Sequence, residues 1–261
     1  DVINPATEEI IGKASKASSI DIDNALKSAE KGFAVWKKFS PWDRAAVIRK
    51  IREEGNPVLL LDAGDIFQGT PYFNIYGGEL ELRLMSKIGY DAATFGNHDF
   101  DNGIDGLVDQ LPNASFPFII SNYDMSRTNL KEKYLKYKVF KKAGIKVGVF
   151  GIGIELEGLV PKKLYGDIIY QDPIETSNHY AKLLKESLSC DLVICLSHLG
   201  YRYRSRKVSD RVLASKTRNI DLIIGGHTHT FLNDPVFVQD INKKDVQIAQ
   251  VGWGGINIGR I

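Results

Sequence analysis

From Pro57 onward, apolar and polar positions fall into blocks. The runs "VLLLD", "AATF", "FPFIISN", "KVGVFGIG", "DLVICLS", "DLIIGG" and "VQIAQVGW" are continuous and short, the pattern of buried strands. Between them, amphipathic spacing predicts helices near 77–88, 102–111, 173–189 and 207–217. Strands alternating with helices predict a layered α/β domain. Open α/β sheets gather their sites where strands end, and the polar clusters of this chain sit at those ends.

The first fifty residues read differently. "VINPATEEIIGKAS" predicts two short strands around a proline-containing turn. A helix capped near Ser19 or Asp21 then carries Ile22, Ala25, Ala29, Phe33 and Trp36 on its apolar face. The expected organisation is a hairpin-plus-helix appendage over residues 1–50 and an α/β domain over 51–261.

With 261 residues, 43% hydrophobic and 25% charged, the chain has material for one large core plus an appendage. The net charge is only +2, and Lys and Arg are scattered apart from Arg202, Arg204, Arg206 and Lys207. No nucleic-acid partner is expected from that distribution. The cluster reads as a solvated face that could also attract an anionic substrate. No apolar run reaches the roughly 20 residues of a membrane span, and no leader precedes Asp1, so no membrane association is expected. Cys190 and Cys195 read as buried apolar residues on one strand, their spacing directing them to opposite faces.

Four polar clusters carry the candidate chemistry. They are Asp65 in "LDAGDIFQGTP", then Asn97, His98, Asp99 and Asp101 in "GNHDFDN", then His198 in "LSHLG", and His227 and His229 in "GGHTH". Four of the five histidines thus lie at predicted strand ends, while His179 falls on a helical pattern as a surface or packing residue. Imidazole, carboxylate and amide oxygen suit zinc, manganese or similar ions, and no cysteine stands in the set. His227 and His229, two apart after a strand, are expected to project to the same side.

In order and spacing, "GD…QG", "GNHDFDNG", "SN", "SHLG" and "GGHTH" resemble the dinuclear-metal phosphoesterases, and within them the 5′-nucleotidase family, over about 51–261. The resemblance implies an α/β/β/α sandwich and hydrolysis of phosphate monoesters, nucleotides above all, by a metal-activated water. It implies two divalent ions about 3.5–4 Å apart, zinc, manganese or similar, clamping the phosphate. Asp65 would bridge them, Asn97, His198 and His227 would complete one site, and His229 would serve the other. His98 would pair with Asp101 as the catalytic dyad. Asp99 is expected to open a helix or to act behind the site rather than in it, and Asn122 either reaches the substrate or the residues behind the ligands, or forms a turn.

A first strand ending in Asp-x-His, which the resemblance also implies, is not found. Instead "NPATEEIIGKA", "DIDNALKSAEKGFAVWKKFS" and "DRAAVIRKI" resemble the N-terminus of aldehyde dehydrogenases, without that family's catalytic residues. The expected join lies near Ala46 to Arg52, inside a helix common to both patterns. Asp21 and Asp23 are the nearest substitute for the missing ligands but read as a helix start. The sandwich is therefore expected to lack its first strand and one metal site to be incomplete, with a catalytically impaired metal-binding hybrid as the alternative to an active hydrolase. A separate C-terminal nucleoside-binding domain is a further expected partner. Localisation stays open, since the phosphoesterase resemblance implies export or a periplasmic location and the other segment does not.

Overall fold

The computed structural model describes residues 2–3, 10–12, 41–69 and 71–261, with side chains from 46 onward. Two compact units divide at Asn56 and Pro57. In the first, β1 (Val2–Ile3) pairs antiparallel with β2 (Ile10–Gly12). Helix α1 (Pro41–Glu53) opens on a proline, whose fixed φ and missing N–H suit a first helical position. It stops at Gly55, whose positive φ of 79° accommodates the turn out of the last carbonyls. The helix runs unbroken through the stretch where the two sequence patterns meet. Asp21 and Asp23 lie outside the described residues.

The second unit is built in layers. The smaller layer comes first in the chain, where β3 (Leu61–Asp62) pairs in parallel with β4 (Ala92–Ala93). Single bridges extend it to Phe118–Ile119 and Leu135. Beside it, β5 (Tyr123–Asp124) pairs antiparallel with β8 (Ile169–Tyr170). Behind it lies an aromatic core including Phe67, Phe95, Phe100, Phe118 and Tyr123, with Phe95 stacked on Phe118 at 4.5 Å.

The main sheet takes β6 (Tyr137–Lys142), β7 (Ile145–Ile152), β9 (Leu192–Ser197), β10 (Leu222–Gly225), β11 (Val236–Gln239) and β12 (Asp245–Ala249), in the order β11-β12-β10-β9-β7-β6. Strands β7, β9, β10 and β12 are parallel, with antiparallel β6 and β11 at the edges. The central strands are apolar nearly throughout because both faces are covered. On one face Phe150, Val193, Cys195 and Ile223 pack against Ala181, Leu184, Leu213 and Ala214 of helices near 173–187 and 210–216.

The other face, through Val149, Ile194 and Leu196, meets the smaller layer. Helix/sheet/sheet/helix layering follows, a layered α/β domain as the strand pattern predicts and the sandwich that the phosphoesterase resemblance implies. Among the described residues β3 pairs only with β4, and β2, the strand within "EEIIGKAS", pairs with β1.

The sequence pattern passed over β6 and β11. Both are edge strands with mixed burial, so polar side chains interrupt their apolar runs. The cysteines also differ from expectation. Cys190 lies before β9 rather than on it, so strand alternation does not govern it, and both thiols belong to the same core.

Candidate metal centre

Four strand-end loops converge. After β3 the chain turns at Asp62, whose carboxylate accepts the Gly64 N–H at 2.9 Å. Burial pushes the Asp62 carboxyl up to about 6. Gly64 (φ 88°) then brings the backbone against Gly96, where a Cβ would lie 2.5 Å from the Gly96 nitrogen. Asp65 follows in the left-handed region at φ 61°. A Cβ on Gly96 would in turn strike the Asp65 carboxylate, so both loops touch through bare backbone.

Asp99 holds this geometry. Buried at 1% exposure, it accepts N–H groups from Gly96 (2.7 Å), Ile66 (2.9 Å), Asp65 (3.0 Å) and Phe67 (3.3 Å). Burial and the neighbouring Asp65 charge push its carboxyl up to about 7 against the pull of those donors. Its place behind the site agrees with expectation. Asp99→Ala would orphan four buried or partly buried donors, and we expect a loss of about 3 kcal/mol, read from the midpoint of urea unfolding at unchanged slope.

His198 follows β9, fully buried. Its Nδ1 donates to the Ala63 carbonyl at 2.6 Å, which turns Nε2 toward Asp65. Nε2 stands 2.9 Å from Asp65 Oδ2, an ion pair in the interior that is not aligned as a hydrogen bond. Burial works against the charged imidazolium, but Asp65 and the Ala63 carbonyl outweigh it and hold the His198 pKa above the usual range. The same contact holds Asp65 low in spite of its own burial.

Strand β10 ends at Gly225, and the chain then leaves extended geometry. His227 and His229 adopt φ values of 67° and 52°, so the strand alternation expected for them does not apply. His227 turns inward, with Nδ1 2.9 Å from Asn97 Oδ1. Burial, then the nearby His198, lowers its pKa to about 4 and keeps the ring neutral at neutral pH. His229 is exposed and lies flat against Trp253, ring centres 5.8 Å apart. A Cβ on Gly226 would lie 2.9 Å from both the Ala63 oxygen and His198 Nδ1, which is why the loop crosses there on glycine.

Among the described residues Asp65, His198 and His227 place ligand atoms within 4.8 Å of one another, and Asn97 joins them through His227. One carboxylate, two imidazoles and an amide oxygen suit a divalent ion of borderline softness. The Nε2 of His198, ion-paired with Asp65 but without an aligned hydrogen bond, is the ring atom such an ion would take. His229 lies outside that group.

At the rim, His98 donates its backbone N–H to Asp65 Oδ1 at 2.8 Å. Its Nδ1 lies 2.8 Å from Asp101 Oδ2, leaving Nε2 for the opening. Asn122 turns away. Its amide is engaged at both ends by the backbone of Gly153 at 2.9 and 2.8 Å, bracing the end of β7. His179 is exposed on its helix.

Two positioning residues were not singled out in the sequence. Gln250 binds the Gly226 carbonyl (2.6 Å), the Thr230 N–H and Thr228, so it templates the "GGHTH" turn. Asp210, pushed up to about 7 by burial, accepts from Ser197 beneath His198 and packs against Gly225. A polar residue inside "IAQVGW" was the available signal for the first, and an acid in an apolar helix start for the second.

This layered fold and converging donor set define a metal-dependent phosphoesterase class. The chain belongs to the calcineurin-like phosphoesterase family, whose sequence pattern matches residues 38–231. The aldehyde dehydrogenase family pattern matches residues 1–55, overlapping at helix α1. A trifunctional nucleotide phosphoesterase of Bacillus subtilis is 34% identical, over 84% of this chain and 16% of that protein. The 5′-nucleotidase of Rattus norvegicus is 35% identical, over 71% of this chain and 31% of the other. In structure, a 5′-nucleotidase precursor from Thermus thermophilus superposes with a TM-score of 0.71 at 32% identity, over 79% of this chain and 42% of that one. The chain therefore spans less than half the length of each of these relatives.

Proposed function

We propose that this chain hydrolyses phosphate monoesters, nucleotides being the substrate class, at the Asp65, Asn97, His198 and His227 site. The observation that carries the reading is the cluster of Asp65, His198 and His227 ligand atoms, all within 4.8 Å of one another, with the His98–Asp101 pair on the adjoining loop. A divalent ion held there supplies Lewis-acid charge to a phosphoryl group and lowers the pKa of water.

The protein's own residues do the rest. Asp99 and the two glycines fix Asp65, and the Ala63 carbonyl fixes the His198 tautomer. Asp101 orients His98 so that Nε2 faces the substrate, where it can donate to a phosphoryl oxygen and hold a proton for the leaving alcohol. Among the described residues no helix is long and apolar enough to cross a membrane.

A second reading, a metal-binding protein impaired in catalysis, is favoured by one observation. His229 stacks on Trp253 outside the ligand group, leaving a second ion few protein ligands among the described residues. In this reading residues 1–50 are a foreign segment joined through α1.

Release of orthophosphate from AMP and from an aryl phosphate, with added manganese or zinc and with a chelator as control, tests the proposal. We expect metal-dependent release and about one tightly held ion per chain. One ion without turnover would establish the impaired reading, and absence of any bound ion would overturn both.

A further inference from the structure

Strand β3 lies at the margin of the smaller layer. On one side it meets β4, and beyond β4 the layer continues to Phe118. In a parallel ladder, successive residues turn their N–H and C=O to alternate edges of the strand. Leu60 and Asp62 turn toward β4. The Leu60 carbonyl accepts the Asp91 N–H at 2.8 Å, the Leu60 N–H goes to the Asp91 carboxylate at 2.8 Å, and the Asp62 carbonyl accepts the Thr94 N–H at 3.2 Å. Leu59 and Leu61 therefore present their backbone groups on the opposite edge, where neither has a hydrogen-bonding partner among the described residues.

That edge is unguarded. Exposed edges are ordinarily blunted by charged side chains or bulges, because a row of free N–H and C=O groups is a template for another strand. Here the run after Pro57 is "VLLL", apolar and without a charge until Asp62. Leu59 and Leu61 pack against the core between the two sheets, yet both stay only half-buried. In β4, which has a neighbour on either side, Ala92 and Ala93 are completely buried. The intersheet core thus thins out at the same edge that carries the free backbone groups, and the chain runs from it directly to Ala63 and Asp65 of the metal centre.

The edge is complementary to itself. In an antiparallel pair, opposed residues that exchange both backbone bonds alternate with opposed residues that exchange none. Setting Leu59 opposite the partner's Leu61, and Leu61 opposite the partner's Leu59, satisfies every free group on both edges about a two-fold axis. A register shifted toward the N-terminus would call on Pro57, which has no N–H. Shifted the other way, it would call on the Ala63 carbonyl, already taken by His198 at 2.6 Å. In the remaining register Leu60 lies opposite the partner's Leu60, and every cross-strand contact is apolar. We propose that this chain forms a two-fold dimer by antiparallel pairing of β3 with β3 of a second copy, joining the two smaller layers into one sheet in the order β4-β3-β3-β4.

Sedimentation equilibrium of the full chain from about 1 to 100 µM tests the proposal, since a strand-to-strand contact of this size dissociates in that range. We expect a reversible monomer–dimer equilibrium. Leu60 binds Asp91 through its backbone alone and, among the described residues, its side chain belongs to none of the apolar cores, so it can be changed without touching the ladder. L60K and L60E each set like charges opposite one another, and either should raise the dimer Kd by roughly tenfold or more. An equimolar mixture of the two should pair again, which a variant that had merely failed to fold could not do.

A covalent trap gives a second readout. Opposed residues that exchange no backbone bonds have Cα atoms about 4.5 Å apart, within the span of a disulfide, so L60C should cross-link into a dimer under mild oxidation. The native Cys190 and Cys195 are buried and leave the wild type as a clean control. A wild type that stays monomeric throughout the range would overturn the proposal. So would a dimer indifferent to both charges, whose contact must lie elsewhere, or open-ended polymers in place of a dimer, which would show the edge pairing without a two-fold axis.

Discussion

Replacing His98 with alanine is expected to lower kcat/KM for phosphate release by roughly 10²–10⁴-fold, the range typical of a positioned acid–base group. The expectation comes from the geometry at the rim. The side chain is half exposed and packs in no core, so its removal leaves the fold intact. Its Nδ1 is committed to Asp101, which fixes the ring and leaves Nε2 as the group offered to substrate. His98 supplies only a backbone N–H to Asp65, and alanine keeps that bond. Metal content by atomic absorption should therefore match the wild type while phosphate release collapses. An unchanged rate at unchanged metal content would remove the dyad from the mechanism. Asp101→Asn should act in the same direction with smaller effect, because it weakens orientation and leaves the imidazole in place.

The second large effect concerns Asp65→Asn. Asparagine tolerates left-handed backbone, so φ 61° is retained, and its amide oxygen can still accept the His98 N–H. What disappears is the negative charge opposite His198 and His227. We expect metal affinity to fall by more than the roughly 10–100-fold that supporting outer partners carry, with phosphate release lost in parallel. Equilibrium dialysis against manganese or zinc reads the affinity directly. If affinity stays within a factor of two of the wild type, Asp65 is not a metal ligand. The contrast with His98→Ala is diagnostic, since one substitution strips the ion and the other leaves it.

Much of the site is legible in the amino-acid sequence. Asp65, Asn97, His198 and His227 each stand at the end of an apolar run, and strand ends of one sheet system face the same way, so local pattern is enough to nominate them. His98 and Asp101, three apart, lie on one short turn and need only local geometry to meet. Asn122 is readable only as an alternative, because its two bonds to Gly153 span 31 positions of sequence.

The GGHTH pair marks the boundary of such reasoning. Two histidines two apart suggest one shared direction, but both take positive φ, and the loop sends His227 to Asn97 and His229 to Trp253. What imposes those dihedrals is a template from elsewhere in the chain. Gln250 grips the turn from 20 to 24 residues away. Asp99 likewise gathers donors from a loop 32 to 34 residues distant.

The sequence by itself determined the layered class, the strand ends and the residue types offered as ligands, since each follows from periodicity or from residue chemistry within a short window, and it showed a different pattern, resembling aldehyde dehydrogenases, in the first fifty residues. Only the tertiary structure decided which candidate ligands share a centre and which imidazole nitrogen of His198 is left for it. Those outcomes depend on hydrogen bonds and close backbone approaches between segments far apart in sequence, which no local pattern encodes.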